Sequence, residues 1–310
     1  MIIACEYIIT FMLYDTAKFS YGCELEFADV DRFAVLPNGC AFDNKDHTVV
    51  NSNGVATDPK ARTSVIGGEI NVRPTDTIQE QVDVINDIIK SFKIITVNYR
   101  CNLHVHVRIP GLRDDLQACK QLAKYIRDHE RRVYELIEPI PKPTRAEYTE
   151  QEAYDGAMKR FKRRGRSHQY QVSQNVYNKM MSANTTEEFY NAHAPWSEEK
   201  KQYCFHLKPR AGINLRPLWE THHNTIEFRH FPGTLDLVEY KSCLTWCEQF
   251  LNAALNDPNI TPDDILKQNP WMRFPKFQPY QHHLEKTYLL TSYDHCTRKE
   301  IEANILKLNL

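Results

Sequence analysis

Three short stretches of this chain carry charged or metal-ligating side chains at a two-residue step. Gly22-Cys-Glu-Leu-Glu-Phe27 offers Glu24 and Glu26, Asn102-Leu-His-Val-His-Val-Arg108 offers His104 and His106, and Thr225-Ile-Glu-Phe-Arg-His230 offers Glu227 and Arg229. In a β-strand, positions i and i+2 share a face, so each pair would point one way. Leu103, Val105 and Val107 would then point the other way. With the three strands side by side, one sheet face would carry two histidines, three glutamates and an arginine.

Carboxylate oxygens are what Mg²⁺ or Mn²⁺ prefers, and such sites add water and substrate phosphates to a few protein ligands. Strand neighbours at i and i+2 stand about 6.5 Å apart along the chain. That spacing is wide for chelating one ion with short side chains. It suits two adjacent ions, or an ion and a phosphate, each served by a different residue. Arg229, beside Glu227, would supply a fixed positive charge to a phosphoryl group in transfer.

Plainer readings exist for each pair. Glu24 and Glu26 could be the solvated face of an edge strand, His104 and His106 a water-facing pair, and Glu227 with Arg229 a salt bridge worth little. The recurrence of all three at strand spacing, each in an apolar-alternating context, argues against that. An HxH strand also admits a zinc or iron hydrolase. The basic run Lys159-Arg-Phe-Lys-Arg-Arg-Gly-Arg166 reads either as a solvated helix face or as a grip on nucleic-acid or polyphosphate anions, which would make the protein a non-catalytic binding module.

The elements around these stretches are a mixture of strands and helices. Gly67–Pro74 reads as a strand with Glu69, Asn71 and Arg73 on one face, closed by Pro74. Thr77 and Glu80 form a capping-box pattern ahead of Ile78, Val82, Ile85, Ile89 and Phe92 at helical spacing. A long helix is expected from about Asp114 to Glu138, stopped by Pro139, Pro141 and Pro143. Further helix is expected over 150–164 and on through Ala194, then strand at Tyr203–Lys208, Ile213–Leu215 and Thr225–Phe231. Asp236 and Glu239 repeat the capping pattern before Leu237, Tyr240, Leu244, Cys247, Leu251 and Leu255, and Thr261-Pro262 opens a last helix.

With 310 residues, 42% hydrophobic and 25% charged, the chain can bury one large core. It reads as a single domain over 1–310, with a helical insertion at 139–200 and a peripheral segment at 257–310. The formal net charge of -1 means that any nucleic-acid or membrane reading must rest on a local patch. Nine cysteines without a CxxC fit reduced, cytoplasmic usage, and Cys243 and Cys247, one turn apart on an apolar stripe, read as core. The apolar start carries Glu6, lacks a basic leader and is too short to span a bilayer, so neither signal peptide nor membrane anchor is expected. The chain contains no GxGxxG, GxxxxGK[ST], GxSxG or HExxH motif.

The order of motifs resembles the amidoligases of the glutamine synthetase and γ-glutamylcysteine ligase superfamily. The resemblance rests on GxExE at Gly22 to Glu26, Gly68-Glu69, HxH at His104 to His106, Asn214-Leu215 and TIEFRxFxGT from Thr225 to Thr234. It implies an α+β fold: a curved antiparallel sheet flanked by helices, whose concave face holds ATP and two or three divalent cations, Mg²⁺ or Mn²⁺. By the same resemblance Glu24, Glu26, Glu69, His104 and Glu227 fall at metal-ligand positions, and His106 and Arg229 where phosphate contacts are expected. The implied reaction passes the γ-phosphoryl of ATP to a carboxylate and lets an amine attack the acyl phosphate, giving an amide, ADP and phosphate. Arg73, Arg210 and Asn214 are further candidates for holding the carboxylate substrate or the nucleotide. Two stretches depart from the pattern: Asn102-Leu103 replaces a glycine-containing approach to the histidines, and Asp46-His47-Thr48 only partly matches an Asp-x-Ser turn. The carboxylate and amine partners, small molecule, peptide or modified nucleotide, and the oligomeric state are not legible.

Overall fold

The computed structural model describes residues 13–31, 33–43, 65–97, 101–136, 174–193, 196–197, 202–203, 212–219 and 224–275. Its strands are β1 (Ser20–Asp31), β2 (Ala41–Phe42), β3 (Val65–Thr75), β4 (Ile95–Thr96), β5 (Asn102–Arg108), β6 (Trp196–Ser197), β7 (Gln202–Tyr203), β8 (Ile213–Asn214) and β9 (Ile226–Pro232). Its helices are α1 (Ile78–Ser91), α2 (Leu116–Leu136), α3 (Gln174–Ser182), α4 (Thr186–His193), α5 (Leu237–Asn256) and α6 (Pro262–Gln268). The class is α+β: an open antiparallel sheet in the order β2-β3-β1-β5-β9-β8, with β4 also on β1 and a separate β6–β7 hairpin.

Alternation along the strands decides which residues enter the core. Tyr21, Cys23, Leu25 and Phe27 of β1, Leu103, Val105 and Val107 of β5, and Ile226 and Phe228 of β9 are all buried. Helices α1, α2 and α5 complete that core. Helix α5 carries no basic residue in its last turn and is buried almost all round, with Trp246, Phe250 and Leu251 at its centre. Its Asp236 cap accepts from the backbone N–H of Val238, and α6 has a complete Thr261–Asp264 capping box.

Two expectations shift. Strand β3 runs through Pro74 to Thr75 instead of stopping at it. The register explains why: Tyr21 opposes Thr75 but Cys23 opposes Val72, so a bulge holds Arg73 and Pro74. β2 pairs only with Ile70 and Asn71, so Pro74 withholds its missing N–H from no neighbour on that side. The second shift concerns Glu80, whose carboxylate lies 3.5 Å from the Arg73 guanidinium instead of turning back to the cap. Thr77 alone caps α1, accepting from Glu80 N–H.

A second bulge, in β9, is closer to the site. Val105 opposes Phe228 and Leu103 opposes Phe231, so Arg229 and His230 together stand opposite His104. The extra residue returns Phe231 to the core face after Glu227 and Arg229 have faced the other way. Burial pushes His230, on this bulge, down to about 3, so it is neutral.

The expected helix at 150–164, the basic run Lys159–Arg166, Asp46-His47-Thr48 and Arg210 lie outside the described residues. Within the expected insertion, α3 and α4 pack on each other and on α2. No described helix is long and apolar enough to cross a membrane.

Candidate metal centre

Neighbouring strands bring the three two-residue steps onto one face. Glu24 opposes both Asn71 of β3 and His104 of β5, Glu26 opposes Glu69, and His106 opposes Glu227 of β9. β1 is an interior strand, so Glu24 and Glu26 are not an edge pair. Glu26, Glu69, His104 and Glu227 are each at most 5% exposed, and burying so much charge requires partners.

Glu24 bridges the two imidazoles. Its Oε2 lies 2.6 Å from His104 Nδ1 and its Oε1 3.2 Å from His106 Nε2. Burial raises the carboxyl, but hydrogen bonds from both histidines outweigh it and hold the group well below the usual carboxylate range. Burial lowers His106, yet the hydrogen bond and charge of Glu24, followed by Glu227, raise it overall. Thr225 Oγ1, 3.1 Å from His106 Nδ1, fixes the other side of that ring.

Glu227 is held at both oxygens. Asn214 Nδ2 donates to Oε2 at 2.7 Å, and the Arg229 guanidinium pairs with Oε1. Oε1 also lies 3.8 Å from His104 Nδ1 and 4.0 Å from His106 Nε2. Burial raises this carboxyl, and Arg229, with help from His106 and His104, brings it below its ordinary value. Asn214, read from the sequence as a nucleotide or substrate contact, is thus a partner of Glu227, with its own Oδ1 accepting from Arg216 N–H.

Glu26 accepts two hydrogen bonds on one oxygen, from the backbone N–H of Asn102 at 2.8 Å and from its Nδ2 at 2.7 Å. Its Oε1 faces His104 Nε2 at 3.9 Å. That nitrogen is buried and has no hydrogen-bond partner among the described residues.

Two sets of side chains could each hold a cation: Glu24, Glu69 and His104, and Glu24, His106 and Glu227, with ligand atoms inside 4.8 Å of one another in each set. Two ligands about 2.1 Å from one ion stand up to about 4.2 Å apart, so the widest pair in a set has at most about 0.6 Å to close on an ion. The donors also fit: hard carboxylates dominate and imidazole assists. With His104 Nδ1 on a carboxylate, Nε2 is left to accept, the usual way a metal-bound histidine is oriented. His106, expected on the phosphate side, stands in a ligand set as well.

Arg73 is not drawn into this cluster; Glu80 holds it, and Gly39 packs against its side chain. Sequence reasoning missed Thr225 and treated Asn102 only as a departure. A signal for Asn102 was present, since it continues the two-residue step of His104 and His106. Among the described residues, burial pushes the thiols of Cys23 and Cys119 up to about 12 and raises Cys243 and Cys247 well above the usual thiol range, which disfavours them as nucleophiles.

Neither the curated proteins nor the solved structures give a match to this chain. A family model described as "Putative amidoligase enzyme" matches residues 44–251, more than half of the chain. The matched stretch contains Glu69, His104, His106, Glu227 and Arg229, and starts downstream of β1, so Glu24 and Glu26 join the group through strand pairing. The chain therefore belongs to the amidoligase family.

Proposed function

We propose that this amidoligase-family chain is an ATP- and Mg²⁺- or Mn²⁺-dependent carboxylate–amine ligase that works through an acyl phosphate. The observation that supports this reading is the position of Glu24, with one oxygen on each histidine and a share in both cation-binding sets. Two adjacent cations on one sheet face suit a transferring phosphoryl group better than a single ion does.

Glu24, Glu69 and His104 would hold one ion, and Glu24, His106 and Glu227 the other, with Glu26 beside His104. When bound, the ions would supply the positive charge that lets an anionic carboxylate approach the ATP phosphates. The protein's own groups do the rest. Thr225 and Glu24 fix the His106 ring between them, and Glu24 sets the orientation of His104. Asn214 pins Glu227, and Arg229 brings a guanidinium to the same carboxylate. Arg229 would then stabilise charge on the phosphoryl group as its bond to ADP breaks and its bond to the carboxylate oxygen forms. Attack by the amine on the acyl carbon expels phosphate and leaves the amide. The carboxylate and amine would be small molecules, peptides or modified nucleotides, and the basic run Lys159–Arg166 would suit an anionic acceptor.

The decisive experiment incubates the protein with ATP, Mg²⁺ and a panel of carboxylates, with hydroxylamine in place of the amine. Carboxylate-dependent release of ADP, with an equal yield of hydroxamate, is the expected result. Protein that binds Mn²⁺ and ATP yet releases no ADP across a broad panel would overturn the reading.

A further inference from the structure

We infer that Asn102 is a positioning residue that aims one oxygen of Glu26 at His104. The inference rests on the cation-binding reading of the site. The β1–β5 ladder runs from Ser20 opposite Arg108 to Leu25 opposite Leu103 and ends there. At the next position the Asn102 backbone N–H donates to the carboxylate of Glu26, and the side-chain Nδ2 donates to the same oxygen, Oε2.

Two donors from one residue on one oxygen make the arrangement directional. Oε2 is occupied by neutral N–H groups, and the carboxylate plane is fixed by a fork as narrow as a single residue allows. Oε1 is therefore the oxygen presented to His104 Nε2, 3.9 Å away, whose lone pair has no other described partner. An uncommitted glutamate on this face would have rotamer freedom to lose on binding an ion, and Asn102 removes that freedom in advance. Asn102 opposes Pro232 on its other side, so its placement is set by both neighbours of β5.

The test is Mn²⁺ affinity of the full chain, read by electron paramagnetic resonance of free Mn²⁺, in a cycle of Asn102→Ala with Glu26→Ala. Asn102→Ala should weaken the Mn²⁺ affinity of the wild type by about tenfold, the low end for losing a group that supports a metal site, because Glu26 stands beside His104 of one ligand set. In the Glu26→Ala background the same change should cost less than about twofold, because its target is gone. Both variants keep the backbone donor, and Asn102→Ser, which adds a hydroxyl, should fall between wild type and alanine and serves if the alanine variant does not fold. Equal losses in both backgrounds, or none in the wild type, overturn the role of Asn102 while leaving the cation site standing. A wild type that takes up no Mn²⁺ overturns both.

Discussion

A methyl group placed on Gly233 would stand 2.7 Å from Cβ of Cys101, closer than side-chain carbons approach. Gly233 N–H donates to the Cys101 carbonyl at 2.9 Å, so the two backbones are clamped where β5 begins. Asn102 is the next residue. Gly233→Ala must push Cys101 aside, with an overpacking cost of about 1–3 kcal/mol. It should lower the melting temperature and also weaken Mn²⁺ binding, whereas a change in stability alone would uncouple the clamp from the site.

Glu24 is shared between the two ligand sets, and Glu69 and Glu227 are not. Glu69→Gln and Glu227→Gln should each remove one Mn²⁺ from the count found by titration. Glu24→Gln should weaken both, by more than about 100-fold, beyond the loss typical of a supporting partner. Three variants with the same stoichiometry would mean that the two sets are not two sites.

Arg229 neutralises one oxygen of a buried carboxylate. Removing one partner of a buried pair costs about 3–5 kcal/mol. Arg229→Gln should lose stability on that scale in chelator, and Mn²⁺ should restore more of it than it adds to the wild type, since a cation can take over Glu227. Turnover should stay low, because the positive charge proposed for the phosphoryl group is gone. Melting curves with and without Mn²⁺, set beside ADP release, check both halves.

The pH dependence should invert when metal is added. The Glu24 carboxyl, held well below its ordinary 4.5, contributes stability that is present above 4.5 and lost as pH falls through the lowered value. His106, raised above its ordinary 6.5, contributes stability that is present below 6.5 and lost as pH rises through the raised value. Metal-free protein should therefore be most stabilised by this pair between 4.5 and 6.5 and weaken on the alkaline side. A cation needs the neutral imidazole, so stabilisation by Mn²⁺ should grow across the same alkaline interval. Parallel melting-temperature profiles in chelator and in Mn²⁺ would count against ligation by His106.

The buried thiols carry a simpler expectation. Cys23, Cys101, Cys119, Cys243 and Cys247 are all enclosed. They should stay unlabelled by a thiol reagent at neutral pH until the protein is denatured, which mass spectrometry of labelled peptides would show.

Much of this site is legible in the chain because strand alternation is local: Glu24 with Glu26, His104 with His106, and Glu227 with Arg229 share a face by spacing alone. Their juxtaposition is not, since nothing in the chain states that β1 lies between β3 and β5 or that β9 follows β5. The bulges are equally hidden. Pro74 reads as a strand end because it lacks an N–H, but the fold puts it in a bulge where none is needed. Partner choice is the other gap. Asn214, Asn102 and Thr225 became holders of Glu227, Glu26 and His106 only once register was fixed, and Arg73, on the correct face, is drawn to Glu80 instead.

The sheet order also bears on how the chain folds. The two candidate ions differ in reach: Glu24, Glu69 and His104 come from β1, β3 and β5, whereas the set with His106 and Glu227 also needs β9, far along the chain. The first set can assemble once β1, β3 and β5 have paired, whereas the second must wait for the long stretch between β5 and β9 to close. Capture of the second cation would thus come late in folding and report on completion of the sheet, so that a truncated or half-folded chain would hold at most one ion and could not begin chemistry that needs two.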